Sequence, residues 1–276
     1  MELMSYEYMI NNGILLDTGD VCTIHNKPYY RRMKQQGEYT STAFCLDCQK
    51  DELERLKQSS AEQQTVNGML AKTWSMFESV SNIPNDLKNA TMNNFEEHNF
   101  EDQKAHAFAQ RAVQYYGKGG EGNTLLQGRP GVGKSHLSIA IAKQLNDTFK
   151  IYNEPKSVIF MPVARLIQRV QASFNGGGRF TEEFVTKLLT NCDYLILDDL
   201  GKESTTENNV KQANDWTYRF LFNILDSRSK TIVNTNFTRK ELIKIYDNAF
   251  VDRLTKGMRG DKDRVFKFSE GAESKR

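Results

Sequence analysis

Residues 128–135 read Gly-Arg-Pro-Gly-Val-Gly-Lys-Ser, a complete G-x-x-x-x-G-K-[ST] pattern. Gly128, Gly131 and Gly133 let the backbone curl so that successive N–H groups converge on one polyphosphate. Arg129, Pro130 and Val132 fill the variable positions, and His136 follows the loop. Lys134 is spaced to reach the β- and γ-phosphates, and Ser135 to hold Mg²⁺. The run 123–127 before the loop reads as a buried strand. The run 135–143 after it reads as a helix whose amino end adds positive potential at the same point. A nucleoside triphosphate is the expected ligand.

A second constellation lies at Leu195-Ile-Leu-Asp198-Asp199, an apolar strand ending in two acids. After a phosphate loop this is a Walker B pattern. Asp198 would bind the metal, directly or through water, and Asp199 would polarise the attacking water. Residues 198–201 also fit the D-x-x-G of GTPases, but no Asn-Lys-x-Asp is present for guanine, so ATP is favoured. Asn236, just past a later apolar run, is placed to orient the water with Asp199, although Asn-Thr-Asn is also turn chemistry. Arg253 reads either as an arginine finger acting on a neighbouring subunit or as a surface arginine.

The cysteines form a third set. Cys22-x-x-His25 and Cys45-x-x-Cys48 are separated by 19 residues. Two knuckles of this spacing place three thiolates and one imidazole on one tetrahedral ion, so a closed, structural Zn²⁺ site is expected. Cys192 stands outside the pattern and reads as a buried core thiol. Finally, Arg165, Arg169 and Arg179 lie near Phe174 and Phe180 around three consecutive glycines. Arginines beside aromatics on such a loop suit single-stranded DNA, with phosphates paired to Arg and bases stacked on Phe. The other reading is a helix with Phe174 and Phe180 in the core and a solvated basic face.

The elements that position these residues follow from periodicity. Apolar runs at 157–161, 194–197, 231–235 and 264–268 read as strands. Stretches 101–116, 163–174, 181–190 and 214–228 read as helices, and the alternation implies an α/β fold with a parallel sheet covered on both faces. Ligands of such sheets sit at the carboxyl ends of the strands. The first fifty residues are turn-rich with few aliphatics, and a polar helix with a sparse apolar stripe follows to about residue 76. The expected organisation is a metal-binding domain with a connecting helix at 1–76, a polar linker at 77–94, and a nucleotide-binding domain at 95–276. With 37 Lys and Arg against 35 Asp and Glu, the net charge of +2 announces no nucleic-acid binder in bulk. The amino-terminal residues lack a signal-peptide pattern, no apolar run reaches membrane-spanning length, and a cytoplasmic location is expected.

Taken together, these residues resemble the DnaC/DnaI-type helicase loaders, a branch of the AAA+ ATPases, over about residues 72–268. Ile83-Pro84 followed by Phe95, the loop at 128–135 with His136-Leu137, Asp198-Asp199-Leu200-Gly201, Thr235-Asn236, and Val251 to Leu254 carry the resemblance. The cysteine module is similar to the zinc-bearing helicase-binding domain of Gram-positive loaders. The resemblance implies a partner, the replicative hexameric DNA helicase. It also implies contact with single-stranded DNA, self-association through the ATPase domain, and slow ATP turnover stimulated by DNA or partner. Phe174 falls where that family keeps an aromatic for DNA. Two departures stand out: Asp199 replaces the more usual Glu, and no lid with a sensor arginine follows residue 268, which leaves Arg259 and Arg264 unassigned. The length suits a phage-encoded or a cellular loader. Competing readings are an IstB-like transposition-helper ATPase and a zinc-containing ATP-switch adaptor without appreciable turnover.

Overall fold

The structure is a computed structural model that describes residues 6–34, 37–174, 180–206, 209–258 and 264–275. The chain divides into two compact units, Met1–Gly68 and Met69–Arg276.

The first unit opens with α1 (Tyr6–Asn11), followed by β1 (Leu15–Val21), β2 (Pro28–Arg32) and β3 (Phe44–Cys45). These strands form an antiparallel sheet in the order β1-β2-β3, with Leu15 opposite Arg32 and Tyr29 opposite Cys45. Among its described residues, the buried apolar side chains are Leu15, Cys22 and Cys45, so hydrophobic burial alone contributes little to this unit. Helix α2 (Leu46–Val80) starts directly after Cys45, and the boundary between the units falls within it.

The second unit carries α3 (Phe100–Gly117), β4 (Thr124–Gln127), α4 (Lys134–Ile151), β5 (Val158–Pro162), α5 (Val163–Ala172), α6 (Glu182–Asn191) and β6 (Tyr194–Leu200). A two-strand ribbon of β7 (Thr205–Thr206) and β8 (Asn209–Val210) follows. Then come α7 (Asp215–Asp226), β9 (Thr231–Thr235), α8 (Arg239–Ile245), α9 (Asn248–Leu254) and β10 (Val265–Lys267). The five-stranded sheet has the order β10-β4-β9-β6-β5, and every pairing in it is parallel. Strand residues alternate between two cores. Leu125, Ile159, Met161, Leu195, Leu197 and Val233 face α5 to α9, whereas Leu126, Val158, Phe160, Ile196 and Ile232 face α3 and α4. A strand buried on both faces reads as a continuous apolar run, which is why the sequence announced these strands. Side-chain caps start the helices: Asn99 accepts from Asp102 N, Thr181 from Phe184 N, Asn214 from Thr217 N, and Thr238 and Glu241 form a reciprocal box.

Two expectations change. The helix expected to end at Phe174 ends at Ala172. Residues 77–94, expected as a polar linker, are part of the second unit's fold. Phe77, Ala90, Met92 and Phe95 are buried in the core shared with α3 and α4, and Lys143 holds the Ala90 carbonyl at 3.0 Å. The apolar residues there are too sparse to show a period, yet they fill one face of a packed domain. No helix among the described residues is long and apolar enough to cross a membrane.

Cys192 is buried, and burial pushes its thiol up to about 11. Beside it, Arg228 is 4% exposed and gathers backbone carbonyls where α6 turns into β6. Its Nη1 donates to Leu189 O and Cys192 O, both at 2.6 Å, and its Nη2 to Asp193 O at 3.2 Å and Lys230 O at 3.1 Å. Replacement by Leu removes these four bonds at once, leaving Leu189 O to the Cys192 thiol and Lys230 O to Leu195 N. Arg228→Leu is expected to cost about 3 kcal/mol of stability in urea unfolding; a loss below about 0.5 kcal/mol would mean that water takes over every bond.

Candidate functional site

Strand β4 ends at Gln127, and the phosphate loop follows at its carboxyl end. Gly131 and Gly133 have φ of +91° and +94°, left-handed values that a side chain would strain. Helix α4 begins at Lys134 with Gly133 as its cap, so the first N–H groups of the helix face the loop interior. Lys134 is 4% exposed, and its ammonium donates to Gly128 O at 2.8 Å, Arg129 O at 2.9 Å and Asn236 Oδ1 at 2.7 Å. Pro130, Gly131, Gly133, Lys134, Ser135 and His136 line a cavity of about 1090 Å³ that Asp199 and Asn236 also face. Val132 is buried in the core behind it.

Asp198 sits at the centre of a buried network. Its Oδ1 accepts from Ser135 Oγ at 2.9 Å and from Asn234 Nδ2 at 2.6 Å, and Ser138 Oγ donates to Asn234 Oδ1 at 2.7 Å. Burial pushes the Asp198 carboxyl up, and the Asp199 charge adds to this. The Asn234 and Ser135 hydrogen bonds and the Lys134 charge pull the other way. At Asp199 the chain leaves regular strand geometry. The β6–β9 register slips between Leu197 and Leu200, and Asp199 adopts φ +58°. Its carboxylate meets Lys202 Nζ at 3.1 Å and Asn236 Nδ2 at 3.5 Å. Asn236 therefore stands between Lys134 and Asp199.

Three roles escaped the sequence reading. Asn234 was hidden inside an apolar strand run, yet it anchors Asp198. Phe95 walls the cavity and packs edge-on against His136 at 5.4 Å, while His136 Nε2 lies 2.9 Å from Thr91 O. Residues 269–275 cross the loop: Arg129 Nη1 donates to Glu270 O, Lys275 N donates to Gly131 O, and Lys275 Nζ pairs with Asp102 Oδ2 at 2.7 Å. Polar segments such as this carry no period that would reveal them.

Arg253 is not brought to this chain's own cavity. Its carbonyl accepts from Asn123 Nδ2 beside the amino end of β4, and its side chain, half exposed, pairs with Asp226 at 2.5 Å. Arg264 is 2% exposed with its guanidinium 3.1 Å from the Tyr115 ring centroid, and burial lowers it to about 10, which marks a packing role. Phe174 is 55% exposed and meets Trp216 edge-on, while Arg169 stacks over Phe180 at 3.7 Å. Phe180 packs partly buried against the core, so the core reading holds for it and not for Phe174. Arg179 and Arg259 lie outside the described residues.

In the first unit, Cys22 follows β1, Cys45 ends β3 and Cys48 lies in the first turn of α2, so three elements deliver thiols to one point. The ligand atoms of Cys22, His25, Cys45 and Cys48 all lie within 4.8 Å of one another. Cys22 Sγ is 3.6 Å from Cys48 Sγ, and His25 Nδ1 is 3.3 Å from Cys48 Sγ. The donor set and its spacing fit one tetrahedral ion. His25 turns its other nitrogen to Asp51 Oδ2 at 2.9 Å, which fixes the ring as a metal-facing histidine requires. The backbone N–H groups of His25 and Ile24 bring the Cys22 thiol down to about 6, while its hydrogen bonds push Cys48 up to about 12 and His25 up to about 9, so the proton shared within the cluster, not one thiolate, is what a bound ion would displace.

The strand order, the loop and the paired acids define a P-loop nucleotide-binding domain of the AAA+ type. The family described as IstB-like ATP binding protein matches residues 57–258, and the chain belongs to that family. Among curated proteins, the replicative helicase loader DnaC of Buchnera aphidicola subsp. Baizongia pistaciae is 38% identical over 79 residues, 29% of this chain and 30% of that protein. The replicative helicase loader DnaC of Escherichia coli K12 is 28% identical over 137 residues, 48% of this chain and 50% of that protein. The chain thus spans half or less of the length of these relatives. Among solved structures, the DnaC helicase loader is 22% identical with a TM-score of 0.47, covering 61% of this chain and 93% of that one. DnaI is also 22% identical with a TM-score of 0.47, covering 70% and 94%.

The Asp198 environment yields a test. Its carboxyl is raised above its ordinary value, so the charged form costs stability at neutral pH, and that cost fades as pH falls through the raised value toward the ordinary carboxylate range. An amide at this position keeps an oxygen for Ser135 and Asn234. Asp198→Asn is expected to raise the stability of the nucleotide-free protein at pH 7.5 by about 1–2 kcal/mol, with a gain that shrinks as the pH is lowered into the carboxylate range. It should also remove the Mg²⁺ dependence of nucleotide binding. Calorimetric unfolding and titration with and without Mg²⁺ read both effects.

Proposed function

We propose that this protein is an ATP-dependent loader that binds a replicative hexameric DNA helicase and places it on single-stranded DNA. The observation that carries the ATP reading is the convergence of Lys134, Ser135, Asp199 and Asn236 on one cavity, with Asp198 buried directly behind Ser135. The loader reading is supported by the curated relatives, which are named replicative helicase loader DnaC. In this reading, Lys134 exchanges the Gly128 and Arg129 carbonyls for the β- and γ-phosphates. Ser135 and Asp198 hold Mg²⁺, which neutralises phosphate charge when bound. Asp199 takes the attacking water with Asn236. Arg253 serves the site of a neighbouring subunit, consistent with its distance from its own. Asp199 is one methylene shorter than glutamate and is already paired with Lys202, so turnover is slow and rises with DNA or partner.

The cysteine module holds structural Zn²⁺ through Cys22, His25, Cys45 and Cys48 and carries the helicase contact. Arg169, Phe174 and Arg179 meet single-stranded DNA; the exposure of Phe174 supports this. The working location is the cytoplasm. The assignments of the helicase contact to the first unit, Met1–Gly68, and of ATP turnover to the second, Met69–Arg276, belong to the same proposal. A second reading, an IstB-like transposition helper, is favoured by the family's own description.

Lys134→Ala is expected to weaken ATP binding at least about tenfold, because charge-assisted hydrogen bonds to phosphate are lost. Arg253→Ala should keep ATP affinity and lose about 10³-fold in turnover; parallel loss of both would assign Arg253 to folding. Co-purification with the host hexameric helicase, lost in Cys45→Ser while ATP binding persists, supports the loader reading. Capture of a transposase with no helicase favours the second reading.

A further inference from the structure

Asp199 owes its position to a turn that something must hold. The residue sits at φ +58°, and Gly201, two residues on, at φ +98°. A non-glycine residue in the left-handed region persists when its surroundings over-determine it. From the sheet side, Thr235 Oγ1 donates to Leu200 O at 2.8 Å. On the other side the turn is closed in by Phe237 and Ile245, so that a side chain at Gly201 would collide with the Phe237 ring.

Next to this packing stands a carboxylate that the proposed chemistry does not use. Glu203 Oε2 accepts from Gly201 N at 3.0 Å, and its Oε1 takes the Tyr246 hydroxyl and Ser204 Oγ. Tyr246 is 3% exposed and caps the carboxyl end of α8. Its ring stacks on Phe250 of α9 with centroids 3.9 Å apart and planes 9° apart. Lys202, which pairs with the Asp199 carboxylate, is the residue between Gly201 and Glu203. A continuous set of contacts therefore runs from Asp199 through the turn to Glu203, Tyr246 and the helix that carries Arg253.

A half-buried carboxylate bonded to a buried phenol is a poor source of stability compared with an apolar pair of the same volume. What such a pair supplies is direction: it fixes the Gly201 N–H, and with it the turn that aims Asp199. We infer that Glu203 and Tyr246 are positioning residues that hold Asp199 in its working orientation and tie it to α9. This inference rests on the ATPase reading above.

The test compares wild type, Tyr246→Phe, Glu203→Gln and Glu203→Leu for ATP affinity, steady-state turnover and thermal unfolding. Tyr246→Phe keeps the ring stack and removes one hydroxyl. It is expected to lower kcat at least about tenfold while the ATP Kd stays within about twofold. Glu203→Gln retains an oxygen for Gly201 N and turns an amide N–H toward the Tyr246 oxygen, which can accept it, and is expected to keep more than about a third of wild-type kcat, whereas Glu203→Leu loses it as Tyr246→Phe does. A kcat for Tyr246→Phe within about twofold of wild type overturns the inference. Loss of kcat in step with ATP affinity and melting temperature overturns it as well, since that is the signature of a merely structural pair. Absence of turnover in the wild type, with ATP bound, overturns the ATPase reading itself and this inference with it.

Discussion

The Asp198 carboxylate is withdrawn almost completely from water, and burying an anion is unfavourable unless donors surround it. Here the donors come from different parts of the chain. Ser135 belongs to the phosphate loop and α4, while Asn234 belongs to β9 and is itself fixed by Ser138 one turn further along α4. Satisfying one carboxylate thereby locks β6, β9 and the amino end of α4 into a single register. The apolar cores on both faces of the sheet supply most of the burial. They tolerate small slides between elements, whereas short hydrogen bonds to an interior anion do not.

The same logic explains why the chain departs from regular geometry next to that anchor. Strand β6 is regular as far as Leu197, where its side chains pack alternately into the two cores. Beyond that point the acids must face the loop, and pleated alternation would turn Asp199 away from the cavity. The register slip and the left-handed backbone at Asp199 resolve the conflict. Lys202, Asn236 and the Glu203–Tyr246 pair gather around the residue that bears this local strain.

The first unit is organised by a different constraint. Its described residues bury few apolar side chains, and β1 is mostly exposed along its length. A cluster of three thiols and one imidazole, buttressed by Asp51, replaces the missing core as the point to which β1, β3 and α2 converge.

Much of this was legible in the linear chain. The phosphate loop is a contiguous peptide whose glycines and lysine act through local backbone geometry, so eight residues suffice to announce it. Strands β5, β6 and β9 were legible because burial on both faces leaves a largely apolar run, and the edge strand β10 because Val265 and Phe266 still stand out in a polar segment. The clustering of Cys22, His25, Cys45 and Cys48 was legible because two short-spaced pairs are the pattern that tetrahedral coordination demands. The rest required the tertiary fold. Asn234 looks like one polar residue in an apolar strand until Asp198 is placed beside it. Residues 77–94 look like a linker because their buried side chains have no period. Residues 269–275 lie across the phosphate loop by contacts that span more than a hundred positions of sequence. Motifs whose chemistry is local were determined by the sequence itself. The partners of Asp198, the brace behind Asp199 and the location of Arg253 away from its own cavity were decided by packing, because each depends on residues far apart in the chain that only folding brings together.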